Sequence, residues 1–90
     1  MQQCFVIPVY NHPHYIEALV EHLDQFQMPI ILVNDGSDAA CTALLHDIAA
    51  QYPWVELVEH SHNQGKGQAV ITGLRHAHKL GFSHALQLDS

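Results

Sequence analysis

The sequence predicts a three-layer α/β fold built on a mainly parallel sheet. Short, continuous apolar runs rich in β-branched residues alternate with stretches of helical period, and each stretch is long enough for a crossover helix. Length sets the scale: 90 residues allow one domain at most, and 48% hydrophobic against 13% charged residues is too apolar for a disordered tail. A chain of this size buries only about 60% of its unfolded surface, so a modest core is expected.

Cys4-Phe5-Val6-Ile7-Pro8-Val9 reads as a buried first strand ending near Pro8. From Pro13, Tyr15, Ile16, Leu19, Val20, Leu23 and Phe26 recur at three- and four-residue steps, with Glu17, Glu21 and Asp24 opposite them. Pro13 suits the first turn of that helix and Pro29 blocks its continuation. Ile30-Ile31-Leu32-Val33 is a second continuous strand. Asn34-Asp35-Gly36-Ser37-Asp38 turns the chain, with Ser37 or Asp38 able to cap the next helix. That helix turns Leu44, Leu45, Ile48 and Ala49 inward and stops before Pro53. Val55-Glu56-Leu57-Val58 alternates more than the first two strands, which places it nearer an edge. A polar loop runs from His60 to Gly67. The third helix is expected to bury Ala69, Val70, Ile71, Leu74 and Ala77, with Gly81 just past its end, and Ala85-Leu86-Gln87-Leu88 is the fourth strand.

Charge narrows the function. Three Lys+Arg against nine Asp+Glu leave a net charge of −6, which argues against a nucleic-acid partner, since such proteins present a basic face to the phosphates. Nine histidines make that charge strongly dependent on pH. Cys4 and Cys41 form no C-x-x-C pair and read as buried thiols in a reducing compartment. With no secretory leader and no apolar run near the roughly 18 residues of a membrane span, a soluble, cytoplasmic segment is expected. His12-x-His14, His60-x-His62 and His76-x-His78 lack the spacing and companions of a metal site, and most of them are expected to face solvent.

In an open parallel sheet, ligands bind at the carboxyl ends of the strands. Tyr10-Asn11, Asn34-Asp35-Gly36, Asn63-Gln64-Gly65-Lys66-Gly67 and Asp89 all fall there. Each has an ordinary explanation as a turn, a cap or a strand end. Together they favour a site: Asp35 offers acceptors to a nucleobase or ribose, and the Gly65-Lys66-Gly67 turn at a helix start offers backbone N–H groups and a cation to a diphosphate. Asp89 adds a carboxylate for a metal ion. The dinucleotide fingerprint, the P-loop and the G-x-S-x-G elbow are all absent: Gly67 stands where a P-loop needs a hydroxyl.

Ile7-Pro8-Val9-Tyr10-Asn11, Asn34-Asp35-Gly36-Ser37-Asp38, Asn63-x-Gly65-Lys66-Gly67-x-Ala69-x-x-x-Gly73 and Leu88-Asp89-Ser90 together resemble family 2 glycosyltransferases. The glycine-lysine-glycine form is most similar to the branch that glycosylates polyprenyl or dolichyl phosphate. The resemblance implies a Rossmann-like, partial GT-A domain with strand order 3-2-1-4. It also implies a UDP- or GDP-sugar donor, a divalent cation (Mg²⁺ or Mn²⁺), and an acceptor that is a lipid phosphate or a glycan. By position, Pro8, Tyr10 and Asn11 would line the nucleoside pocket, Asp35 would hydrogen-bond the base, and Gly65, Lys66 and Gly67 would flank the nucleotide. Asp89 resembles the first aspartate of D-x-D, which touches ribose and metal.

The departures are His12-Pro13-His14, where the polyprenyl branch often carries acidic residues, and the position of Asp89-Ser90 at the end of the sequence. Residues 1–90 therefore read as the N-terminal, nucleotide-binding part of a glycosyltransferase domain, truncated at D-x-D and without the family's general base. Such a segment is expected to be inactive alone, to hold a divalent cation weakly through a lone Asp89, and to self-associate through the open edge of strand four. The alternative reading is a non-catalytic α/β module that binds a nucleotide or a protein partner.

Overall fold

The computed structural model describes residues 2–89. Seven main elements alternate along them: β1 (Gln3–Val9), α1 (Pro13–Leu23), β2 (Ile30–Asp35), α2 (Ala39–Gln51), β3 (Val55–His60), α3 (Lys66–Lys79) and β4 (His84–Gln87), with a short 3-10 turn at Asp24–Phe26. The strands form one sheet in the order β3-β2-β1-β4, and every pairing is parallel. This is the predicted three-layer α/β architecture and strand order, with β3 at one edge.

Side-chain alternation along the strands feeds two cores. Phe5, Ile7, Val9, Ile30, Leu32 and Val55 pack on one face with Ile16, Val20 and Leu23 of α1 and Cys41, Leu45 and Ile48 of α2. Cys4, Val6, Ile31 and Val33 pack on the other with Ala69 and Ala77 of α3. The central strands are thus covered on both faces, which is why β1 and β2 read as unbroken apolar runs. The two cysteines are free, buried and on opposite faces of the sheet, and burial pushes the Cys4 thiol pKa up.

Two expectations about inward faces are corrected. In α3 the sheet-facing stripe is Ala69, Gly73 and Ala77, whereas Ile71 and Leu74 are 44% and 42% exposed. A Cβ on Gly73 would come within 2.4 Å of Val6 Cγ1, so the helix lies too close to the sheet for a large side chain and its bulky residues rotate outward. In the first helical segment, Ile16, Val20 and Leu23 are buried, but Tyr15 and Phe26 are exposed. Tyr15 lies off the stripe, and Phe26 follows the break in helical period at the 3-10 turn.

Helix ends follow from local chemistry. Asp38 Oδ1 accepts from the Cys41 N–H at 2.8 Å and caps α2. At the end of α3, the Gly81 N–H donates to His78 O and the Phe82 N–H to Ala77 O. That is a Schellman motif, with Gly81 at φ 90° and Phe82 packed on the α3-side core. Pro8 lacks an N–H, yet it sits within β1 because β4 ends at Gln87, opposite Val6, so β1 runs past it there.

Candidate functional site

The carboxyl ends of β1 and β2 open into a pocket of about 250 Å³ lined by Pro8, Val9, Tyr10, His12, Asp35, Asn63 and Lys66. Pro8, Tyr10, Asp35 and Lys66 were expected at a site from sequence, and Asn63 opens the loop expected there; Val9 and His12 were not. Tyr10 is 47% exposed, leaving a ring accessible at the rim.

The turn after β2 is fixed from within. Buried Asn34 donates from Nδ2 to Thr42 Oγ1 at 2.9 Å and accepts from the Ser37 N–H at 3.0 Å. Asn11 does not line the pocket but ties its two sides together. Its N–H donates to Ser37 Oγ at 3.1 Å, and its Oδ1 accepts from the Asp38 N–H at 2.9 Å. That bridge holds Asn11 at φ 56°, a left-handed conformation which asparagine tolerates better than most residues.

Asp35 is the most heavily engaged group. Its Oδ1 accepts from the Gln64 N–H at 2.8 Å and from His60 Nδ1 at 2.8 Å. Its Oδ2 accepts from the Gly65 N–H at 2.9 Å and from Asn63 Nδ2 at 3.1 Å. Four donors fill the four lone-pair positions of a carboxylate. Burial pushes the Asp35 carboxyl pKa up, but the hydrogen bonds from His60, Gln64 and Gly65 outweigh it and leave the group below the ordinary carboxylate range. Asp35 therefore clasps the loop that launches α3. Gly65 enters this clasp through its N–H at φ 97° and caps the helix, and Gly67 lies in the first turn with open space around its Cα.

Most of the paired histidines were expected in solvent, but the His60 side chain is buried, 8% exposed. An ionised carboxylate only accepts, so Nδ1–H is the donor to Asp35; Nε2 lies 2.8 Å from Thr72 Oγ1 on α3. The signal was present in the strand period: His60 is two residues past Val58, on the face that packs against α3. His76 does not face solvent freely either, since it pairs with Glu56. At the far side of the pocket, Lys66 Nζ lies 2.7 Å from Asp89 Oδ1, with both side chains more than half exposed. The hydrogen bond and charge of Lys66 hold the Asp89 carboxyl below its ordinary pKa. Ser90, the last residue of the Leu88-Asp89-Ser90 segment, lies outside the described residues.

The sequence model of the family described as Glycosyl transferase family 2 matches residues 4–79. The chain belongs to glycosyl transferase family 2. Its relatives include the dolichyl-phosphate beta-glucosyltransferase ALG5D of Trichomonas vaginalis, 33% identical over 84 residues that cover 81% of this chain and 26% of the relative. A prophage bactoprenol glucosyl transferase homolog of Escherichia coli K12 is 30% identical over 83 residues, covering 86% of this chain and 27% of that protein. Among solved structures, the mannosyltransferase PcManGT from Pyrobaculum calidifontis, in complex with GDP-Man and Mn²⁺, superposes with a TM-score of 0.74 at 24% identity. The match covers 84% of this chain and 24% of that one. The family-2 chain thus has the GT-A fold, and it spans about a quarter of the length of these relatives.

Within that family setting, the described residues contain no group of three or more metal-ligating side chains. Asp89 supplies one carboxylate, already engaged by Lys66. Divalent cations of this class take about six or more oxygen ligands, so these residues alone do not fit the ion. Among the described residues, no helix is long and apolar enough to cross a membrane.

Proposed function

We propose that this chain is the donor-nucleotide-binding part of a glycosyltransferase that moves a sugar from a UDP- or GDP-sugar to a lipid-phosphate acceptor. The observation that carries the reading is convergence: Tyr10, Asp35 and Lys66, from three separate connections, line one pocket, and Lys66 is paired with Asp89 beside it. The relatives' names, dolichyl-phosphate and bactoprenol glucosyltransferases, support the acceptor class, and the GDP-Man complex of the structural neighbour supports the donor class.

Each group has a part in this reading. Pro8 and Tyr10 form an apolar wall for the nucleoside, with Asn11 holding that wall against the turn after β2. Lys66 and the N–H groups of the first turn of α3, which is capped by Gly65 and carries Gly67, face the diphosphate, where the helix dipole favours negative charge. A base N–H reaches Asp35 only by replacing a present donor. Exposed Asn63, with contacts of 3.1 and 3.2 Å, is the donor placed to yield. In the transfer, an acceptor phosphate oxygen bonds to the anomeric carbon as the bond to the donor phosphate oxygen breaks, and the nucleoside diphosphate departs with the electron pair. This segment binds the departing group; the base and acceptor site are assigned to the remainder of a longer protein. Mg²⁺ or Mn²⁺, with Asp89 as one ligand, is likewise proposed only for that fuller assembly.

The same reading takes residues 1–90 as the N-terminal part of the domain, working on the cytoplasmic side of a membrane. The β4 edge, where Leu86 is 47% exposed, is expected to pair with a second copy when this chain is isolated; a monomer by light scattering at high concentration counts against that pairing. Calorimetric titration of the 90-residue chain with UDP, GDP, UMP and uridine tests the site. Saturable binding that weakens from diphosphate to nucleoside is expected. Absence of saturable binding for all four overturns the assignment and leaves a module with polar turns.

A further inference from the structure

We propose that His60 is a positioning residue of the nucleotide pocket, acting through the Asp35 carboxylate, which makes Nδ1 the donor, with Thr72 anchoring the other ring nitrogen. This deepens the nucleotide reading above and rests on it. The imidazole bridges three elements in one line: Thr72 on α3, His60 at the end of β3 and Asp35 at the end of β2 are joined by two contacts of 2.8 Å. The side chains of His60 and Asp35 are 8% and 3% exposed, so water does not replace either contact, and an unmet polar group there is costly.

The chain of contacts continues into the pocket. The carboxylate that His60 holds also accepts the N–H groups of Gln64 and Gly65, the two residues immediately before Lys66. Asp35 and Lys66 both line the cavity, but His60 does not. Rotation of the Asp35 carboxylate would therefore move an acceptor on the pocket floor and the start of the helix that carries the cation. His60 prevents that rotation from the side away from the ligand. Asp35 requires Nδ1–H, and Nε2 faces the Thr72 hydroxyl, which can donate to it or accept from it.

A role confined to fold stability would lower the folded fraction without altering the affinity of molecules that do fold, so the test separates the two. The 90-residue chain and its His60→Phe, His60→Asn and Thr72→Val variants are titrated with UDP and GDP, affinities are referred to the folded fraction from circular dichroism, and imidazole ¹⁵N resonances are recorded. In the unsubstituted chain, His60 is expected as the Nδ1–H tautomer, with resonances that shift on nucleotide saturation. Folded His60→Phe should bind about tenfold more weakly, as for a lost hydrogen bond to a charged group. His60→Asn, whose amide can stand where Nδ1–H stood, should recover most of that loss. Thr72→Val should change the Nε2 resonance and weaken binding about two- to fivefold. Unchanged affinity in folded His60→Phe, or no recovery in His60→Asn, overturns the proposal. If His60→Phe does not fold, an unchanged Nε2 resonance and affinity in Thr72→Val overturn it instead. Failure of the unsubstituted chain to bind either nucleotide removes the nucleotide reading and this role together, whereas normal binding with indifferent variants removes this role alone.

Discussion

A Cβ on Gly36 would stand 2.3 Å from the backbone nitrogen of Asn63 and 2.4 Å from the carbonyl carbon of His62. The turn after β2 and the loop after β3 therefore touch backbone to backbone, and Gly36 sits at φ +70° to allow it. Neither neighbour is a flexible side-chain end, so nothing can move aside cheaply. Gly36→Ala is expected to cost roughly 1–2 kcal/mol for the left-handed conformation and about 1–3 kcal/mol for overpacking. A lower urea midpoint at an unchanged slope is the predicted result. An unaltered midpoint would show that the two loops do not meet in solution.

Gly73 makes the corresponding contact between layers. An added Cβ would lie 2.4 Å from Val6 Cγ1 and 3.0 Å from Val33 Cγ2. Here the obstacles are side chains, so the clash can be relieved by a second change. Gly73→Ala alone should destabilise by about 1–3 kcal/mol, and Val6→Ala alone should cost a similar amount through the cavity it leaves. The double variant should fall short of their sum by about 1 kcal/mol or more, because the new methyl fills that space. Additive costs in the four-way comparison would place the helix farther from the sheet.

These two glycines show which parts of the fold were legible. The alternation of apolar runs and helical stretches fixed layers, element order and the parallel sheet, because burial on both faces writes itself into composition. The face of α3 that meets the sheet was legible in part. Ala69 and Ala77 were expected inward and are buried, but apolar character also pointed to Ile71 and Leu74, which are exposed, and gave no sign of Gly73, which close approach requires. Strand-end position pointed to Tyr10, Asp35 and Lys66, and the three line one pocket. How Asp35 is employed was not, because its donors come from residues 25 to 30 positions downstream and sequence spacing carries no such distance. His60 was missed for a related reason: histidines taken in pairs two residues apart drew attention away from the strand period that buries this one.

The Asp35 clasp has a pH signature with a definite sign. Its carboxyl pKa is lowered in the fold despite burial, because His60, Gln64 and Gly65 donate to the ionised form. A carboxyl lowered in the folded state contributes stability that is present above its unfolded pKa, about 3.9, and is lost as pH falls through the folded value. Asp35→Asn should therefore be destabilised by roughly 2–4 kcal/mol at neutral pH, as expected when hydrogen bonds to a charged group are lost. The gap between variant and parent should narrow as pH drops below about 4. Urea midpoints for both proteins between neutral pH and the acid limit of folding measure it. A gap that stays constant or widens with acid would mean that Asp35 is not held as the anion.

Lys66 and Asp89 form an ion pair whose two ends should act on the nucleotide in opposite directions. The ammonium lies on the pocket wall and the carboxylate holds it at 2.7 Å, with both groups in contact with solvent. Water and salt screen such a pair, so neither Lys66→Ala nor Asp89→Asn should move the unfolding midpoint measurably. Binding should respond differently. Lys66→Ala removes the cation, and UDP affinity measured without metal should fall about three- to tenfold while uridine affinity stays constant, since charge-assisted contacts to phosphate are stronger than neutral ones. Asp89→Asn removes a competing anion and frees the ammonium, so metal-free UDP affinity should rise by a factor of about two to five, again with uridine unaffected. Raising the salt concentration should compress both differences. If the two variants instead shift UDP affinity in the same direction, the pair is a structural tie across the rim and Lys66 is not the group that meets the diphosphate.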